Sequence, residues 1–132
     1  MGKVTPFLMF QDGKAEEAMN YYTSLIEDSA ILHIVRYGAN DSGDEGTVMQ
    51  AAFTLKGQEF MCIDSHVKHE FSFTPSFSLF IKCDSEKETD ELYQKLKEGG
   101  QTLMPLGDYG FSKKFGWIND CFGVSWQLNL AE

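Results

Sequence analysis

FSLFIKCDSEKETDELYQKLKEGG, residues 77–100, is a short apolar run that hands over to an amphipathic helix, and the chain makes the same move once before. Phe77–Cys83 has the length and apolar content of a buried strand. Ser85 with Glu88 forms a capping box, Leu92 and Leu96 share a helical face, and Gly99-Gly100 stops the helix. Near the start, Thr5–Phe10 is the corresponding strand, and Asp12 stands where a helix cap belongs. Ala15, Ala18, Met19, Tyr22, Leu25 and Ile26 then recur at three- and four-residue spacing, an apolar stripe on one helical face. The predicted helices are Lys14–Ile26 and Glu86–Glu98.

Working outward, each helix is followed by three strand-like runs. Ile31–Tyr37, Thr47–Leu55 and Phe60–Ile63 follow the first, with a hairpin at Lys56-Gly57-Gln58. Thr102–Leu106, Lys113–Ile118 and Val124–Leu130 follow the second. The order β-α-β-β-β occurs twice, joined by the connector His66–Pro75. This predicts an α+β fold of two βαβββ modules, about 1–68 and 76–132, inside one domain spanning 1–132. Such a module cannot close on itself: a helix covers one face of its curled, mixed sheet and leaves the other needing something opposite it. Two open sheets predict a cleft and a homodimer.

The bulk numbers narrow the partners. At 132 residues the chain has the size of one domain. Eleven Lys and Arg stand against 20 Asp and Glu, a net charge of -9 that repels nucleic acid and anionic lipid. No run reaches the roughly 18 apolar residues that span a bilayer. Cys62, Cys83 and Cys121 are odd in number and lie in apolar contexts, the pattern of reduced thiols in a cytoplasmic protein. Eleven Phe, five Tyr and two Trp make the core, or a pocket in it, strongly aromatic.

TPFLMFQDGKAEEAMNYYTSLIEDS at the start, FSFTPSFSLFIKCDS at the crossover and FGWINDCFGVSWQLNL near the end resemble the PhnB-like branch of the vicinal oxygen chelate superfamily, which includes glyoxalase I, bleomycin-resistance proteins and extradiol dioxygenases. The resemblance implies the glyoxalase-like paired βαβββ fold and homodimers. In metal-dependent members, four inward positions supply histidine or carboxylate ligands. Strand patterns place Thr5 and Ser78 at two of them and Gln50 and Gln127 at the others. All four are neutral, so the expectation is no tightly bound metal and no cofactor. Similar sequences carry the name demethylubiquinone methyltransferase. A methyltransferase of the usual class needs a strand followed by a glycine-rich turn, which this sequence lacks.

The expected substrate-binding residues are Thr5, Phe7, Gln50, Ser78, Trp117 and Gln127, with no catalytic residue identified. Strand alternation places Gln50 and Gln127 on inner faces at equivalent places in the two modules, beside the apolar walls of Phe7, Met9 and Phe80. Equally, the two glutamines would bond to each other as a structural lock. Trp117 is expected in a hairpin able to close over the cleft, or as a core or dimer anchor. Cys62, Asp64, His66 and His69 have the residue types of a ligand cluster, but solvated loop histidines explain them better. His33 reads as structural, Cys83 lacks a sequence-adjacent base, and Asp41, Asp44 and Glu45 miss the spacing of a calcium loop. Three functions fit: a metal-independent small-molecule-binding protein; an enzyme acting on a small metabolite (isomerase, lyase or transferase), with or without a loosely held divalent metal; or a dimeric structural or regulatory protein with a vestigial pocket.

Overall fold

The computed structural model describes residues 2–131. They form two compact units, divided between residues 70 and 71, a boundary that falls inside the expected connector. The first contains β1 (Phe7–Phe10), α1 (Ala15–Leu25), β2 (Ala30–Arg36), β3 (Val48–Leu55) and β4 (Gln58–Asp64). The second contains β5 (Ser78–Cys83), α2 (Glu86–Lys97), β6 (Gln101–Gly107), β7 (Phe115–Asn119) and β8 (Ser125–Leu130). Each is a four-stranded mixed sheet with its helix against one face, in the orders β1-β4-β3-β2 and β5-β8-β7-β6. The first and last strands of each module are parallel neighbours, and the other pairs are antiparallel. This is the α+β, glyoxalase-like pair of βαβββ modules.

The helix-side cores follow from strand alternation. In the first module Leu8, Phe10, Ala51, Phe53, Phe60 and Cys62 are buried, and α1 buries Ala15, Ala18, Met19 and Tyr22. In the second Leu79, Ile81, Ile118, Trp126 and Leu128 are buried, with Thr89, Leu92, Tyr93 and Leu96 of α2. Gly116 is needed where it stands: a Cβ there would lie 2.9 Å from a ring carbon of Tyr93, so α2 could not settle as closely on β7. The β3–β4 hairpin turns on Lys56 and Gly57, both at positive φ (48° and 81°), the combination that a two-residue type I′ turn requires.

Several boundaries and one cap differ from the sequence expectation. Thr5 precedes β1 instead of starting it, and β7 begins at Phe115, not Lys113. Asp12 does not cap α1. The N-cap position is Lys14, whose side chain makes no capping bond. The acceptor for Ala15 N–H is Oδ1 of Asp64, at 2.9 Å, at the far end of β4. A capping residue brought in by tertiary structure leaves no local sequence signal. By contrast α2 has the expected box: Glu88 N–H donates to Ser85 Oγ at 3.0 Å, and Asp84 N–H donates to Glu88 Oε1 at 2.6 Å.

Candidate functional site

Each sheet presents an open face, away from its helix, and the register fixes what lies on it. Across the second sheet Phe80 pairs with Gln127, Gln127 with Trp117, and Trp117 with Met104, one row running over all four strands. Phe80 is 53% exposed although it sits mid-strand, so this face lacks the cover that α2 gives the other. Two side-chain hydrogen bonds hold the row. Gln127 Nε2 donates to Ser78 Oγ at 2.7 Å, and Trp117 Nε1 donates to Ser125 Oγ at 2.8 Å. Ser78, Gln127 and Trp117 are therefore brought together, with the amide pointing its nitrogen at Ser78 and keeping Oε1 as an acceptor. Trp117 stands mid-strand in β7, within the β7–β8 hairpin.

The β7–β8 turn that fixes this register is built on Asp120, which is 3% exposed. Its Oδ1 accepts from Phe122 N–H (2.8 Å) and Val124 N–H (3.0 Å), and its Oδ2 accepts from the Trp126 indole (2.8 Å). The D-x-F-G-V-x-W string thus encodes one carboxylate that satisfies three donors and anchors the start of β8.

Across the first sheet the corresponding row is Phe7, Met61, Ala52 and His33. Phe7 is 53% exposed, matching Phe80. Thr5 stands two residues before Phe7, as Ser78 does before Phe80. The two glutamines do not occupy equivalent places. Gln127 is on the last strand of its module, next to the first, whereas Gln50 is on the third strand, paired with Val35. The counterpart of Gln127 is Met61. Element order hid this, because matching the glutamines by residue type skipped one strand of topology. Gln50 is nonetheless exposed on the open face, in step with Ala52.

The superfamily resemblance implies a divalent ion in some members, and the matching side chains test it. Ser78 and Gln127 offer a hydroxyl and an amide already bonded to each other; Thr5 and Met61 offer a hydroxyl and a thioether. The nearest carboxylate on that face of β4, Glu59, is ion-paired with Lys3. These donors do not fit a hard divalent cation, which favours carboxylate and imidazole.

The Cys62–His69 segment is not a ligand cluster. Cys62 is buried on the helix side, and burial, then the negative charge of Asp64, pushes its thiol up to about 12. The His66 ring meets Tyr37 edge-on at 6.3 Å, and His69 N–H donates to Gln11 Oε1. Asp64 is 3% exposed, with Oδ1 on Ala15 N–H and Oδ2 on Val48 N–H at 2.8 Å, while its carbonyl accepts from Tyr37 hydroxyl. Around it, within the first module, lies a polar cavity of about 550 Å³ walled by Asp12, Asp44, Thr47, His66 and Lys68. From sequence, Asp12 is expected as a helix cap, Thr47 as the start of a strand and His66 as a solvated loop histidine. Asp41 likewise serves a turn, accepting from Gly38 N–H at 2.6 Å.

Known proteins share this fold. Residues 2–129 match the family model described as 3-demethylubiquinone-9 3-methyltransferase. The PhnB protein of Bacillus cereus, whose description carries the same methyltransferase name, is 62% identical, covers 98% of this chain and 100% of its own, and superposes with a TM-score of 0.95. YjdN of Escherichia coli is 22% identical over 98% of this chain and 95% of that one. The fosfomycin resistance protein FosX of Listeria monocytogenes is 10% identical, over all of this chain and 94% of that one, and shares the fold with a TM-score of 0.66. With two βαβββ modules and a match from end to end, the chain belongs to the PhnB-like family described as 3-demethylubiquinone-9 3-methyltransferase, on a fold shared with FosX.

Proposed function

We propose that this chain is a small-molecule-binding protein of the glyoxalase and bleomycin-resistance type, one domain that forms a homodimer in the cytoplasm and works without a tightly bound metal. The observation that carries it is the Ser78–Gln127 pair, a fixed polar group flanked by Phe80 and Trp117 on a sheet face its own helix does not cover. A few placed polar groups among apolar walls are what small-molecule sites share. Thr5, Phe7 and Gln50 offer similar groups on the open face of the first module. Three cysteine thiols without disulfides suit a reducing compartment.

The family's methyltransferase name is not the activity this site supports. The turn after β1, Gln11-Asp12-Gly13, holds a single glycine, and each sheet has four mixed strands. The usual cofactor seat is a glycine-rich turn in a doubly wound parallel sheet. FosX has been described with Mn(II) and sulfate, but Ser78, Gln127, Thr5 and Met61 are poor donors for such an ion.

Native mass spectrometry of the untagged, purified protein tests the reading. It is expected to show a dimer carrying a small organic molecule and no stoichiometric transition metal, with the molecule lost in a Gln50→Leu/Gln127→Leu double variant that still folds. About one zinc, nickel or iron per chain that survives dialysis would overturn it. So would a double variant that keeps the molecule.

A further inference from the structure

The loop between β6 and β7, residues 108–114, carries two aromatic rings that the strand pattern does not explain. Tyr109 and Phe111 stack at 6.2 Å, and both meet Phe115 edge-on, at 6.1 Å and 5.0 Å. Phe115 is 4% exposed beneath them, whereas Phe111 remains 68% exposed. The loop is pinned: Tyr109 hydroxyl donates to Pro105 carbonyl, Tyr109 N–H to Ser112 carbonyl at 3.2 Å, and Gly110 N–H to Asp108 Oδ1 at 2.8 Å. Phe115 lies two residues from Trp117 on the same face of β7, the face opposite Gly116 and Tyr93. Along this face Phe80 lies across Gln127 from Trp117, and Phe115 with its two covering rings stands two residues further along β7. Exposed rings held this firmly cost solvation free energy that a stacked partner would recover.

Two polar groups on this face say what the partner carries. Gln127 gives its nitrogen to Ser78, so Oε1 asks for a donor. Lys82 follows Phe80 on the outward side of β5, in the row of Asn129 and Phe115, and is exposed. Resting on the small-molecule reading above, we infer that the second module's open face selects a flat aromatic acid: a planar ring stacked against Trp117 and Phe111, an N–H or O–H donor on Gln127 Oε1, and a carboxylate toward Lys82. Asp108, in the same loop, engages its own Gly110.

Indole-3-carboxylate is the probe, followed by ¹H–¹⁵N NMR shifts of the Gln127 side-chain amide and the Trp117 indole in the full-length protein. It is expected to bind at least tenfold more tightly than cyclohexanecarboxylate and at least threefold more tightly than 1-methylindole-3-carboxylate, with the second preference lost in Gln127→Leu. Lys82→Met should erase the preference over indole, and Phe111→Ala should weaken binding about fivefold while the protein stays folded by far-ultraviolet circular dichroism. Equal binding of the planar and the saturated acid, both lost in Gln127→Leu, would overturn the aromatic inference and leave the small-molecule site standing. No shift from any probe, together with an empty protein in native mass spectrometry, would sink both. Phe111→Ala that splits an assembly while leaving the probe's affinity intact would make the ring patch a contact between copies, and the inference would be wrong.

Discussion

Across the middle of its open face the first sheet sets Phe7, Met61, Ala52 and His33 side by side, while the second sets Phe80, Gln127, Trp117 and Met104. The scaffold is the same, and one position, Phe7 and Phe80, keeps both its residue and its exposure of 53%. The neighbouring positions differ in kind. Where the first module has a thioether and a methyl, the second has an amide fixed by Ser78 and an indole fixed by Ser125. A repeated fold thus supplies two similar frames, and in this row it is the second that carries polar groups held by side-chain hydrogen bonds. The helices show the converse. Both need acceptors for their first N–H groups, yet α2 takes them from adjacent residues and α1 from a carboxylate 49 residues away.

The largest way to break this comparison is at the two buried carboxylates. Asp64→Ala strands the N–H groups of Ala15 and Val48, and Asp120→Ala strands two N–H groups and the Trp126 indole. With about 1–3 kcal/mol for each stranded buried group, either variant should lose roughly 3–5 kcal/mol in urea unfolding. Hydrogen exchange should place the first opening in 1–70 for Asp64→Ala and in 71–132 for Asp120→Ala. A loss below about 1 kcal/mol would show that the carboxylates are not the anchors described.

Next in size is the contrast between Met61 and Gln127. Gln127→Leu should weaken the bound small molecule by more than tenfold, whereas Met61→Leu, a near-isosteric exchange, should change it less than threefold. Equal losses by calorimetry would mean that the two modules share the polar work after all.

The caps come third. Ser85→Ala should cost about 1 kcal/mol, the usual value for a lost N-cap, and Asp12→Ala less than about 0.5 kcal/mol because it caps nothing. Thermal melts of the pair check this, and an Asp12 variant as costly as the Ser85 one would restore the local cap.

The smallest effect is silent at neutral pH. The folded chain holds the Cys62 proton up to about 12 against an ordinary 9.0, so from pH 9 upward the unfolded state gives up a proton that the folded state keeps. Stability should therefore be unchanged below pH 9 and fall as pH rises toward 12. Cys62→Ala should flatten that slope, and Cys121, which is exposed, should alkylate at pH 8 while Cys62 does not. A Cys62 that alkylates as fast as Cys121 in the folded protein would show the thiol to be accessible.

Much of this was legible in the residues. Apolar periodicity found both helices to within a residue at each end, because an amphipathic stripe is a local property. The Lys56-Gly57 hairpin and the Ser85–Glu88 box were legible for the same reason: the atoms that bond are a few residues apart. That Phe7, Ser78, Phe80 and Gln127 lie on the faces away from the helices followed from strict alternation along single strands.

What alternation along a strand does not contain is which strand lies beside which. That is why Gln50 was matched to Gln127 although Met61 holds the corresponding place, and why nothing local marks Asp64 as the cap of α1. The same holds for the polar cavity around Asp64 and the ring cluster of Tyr109, Phe111 and Phe115. The sequence by itself determined the elements, their doubled order and the amphipathic faces, since these depend on neighbours within a few residues. Only the tertiary structure decided the partners of Asp64, Gln127 and Trp117, because a hydrogen bond between strands depends on register and strand order, which the pairing of whole sheets sets at once.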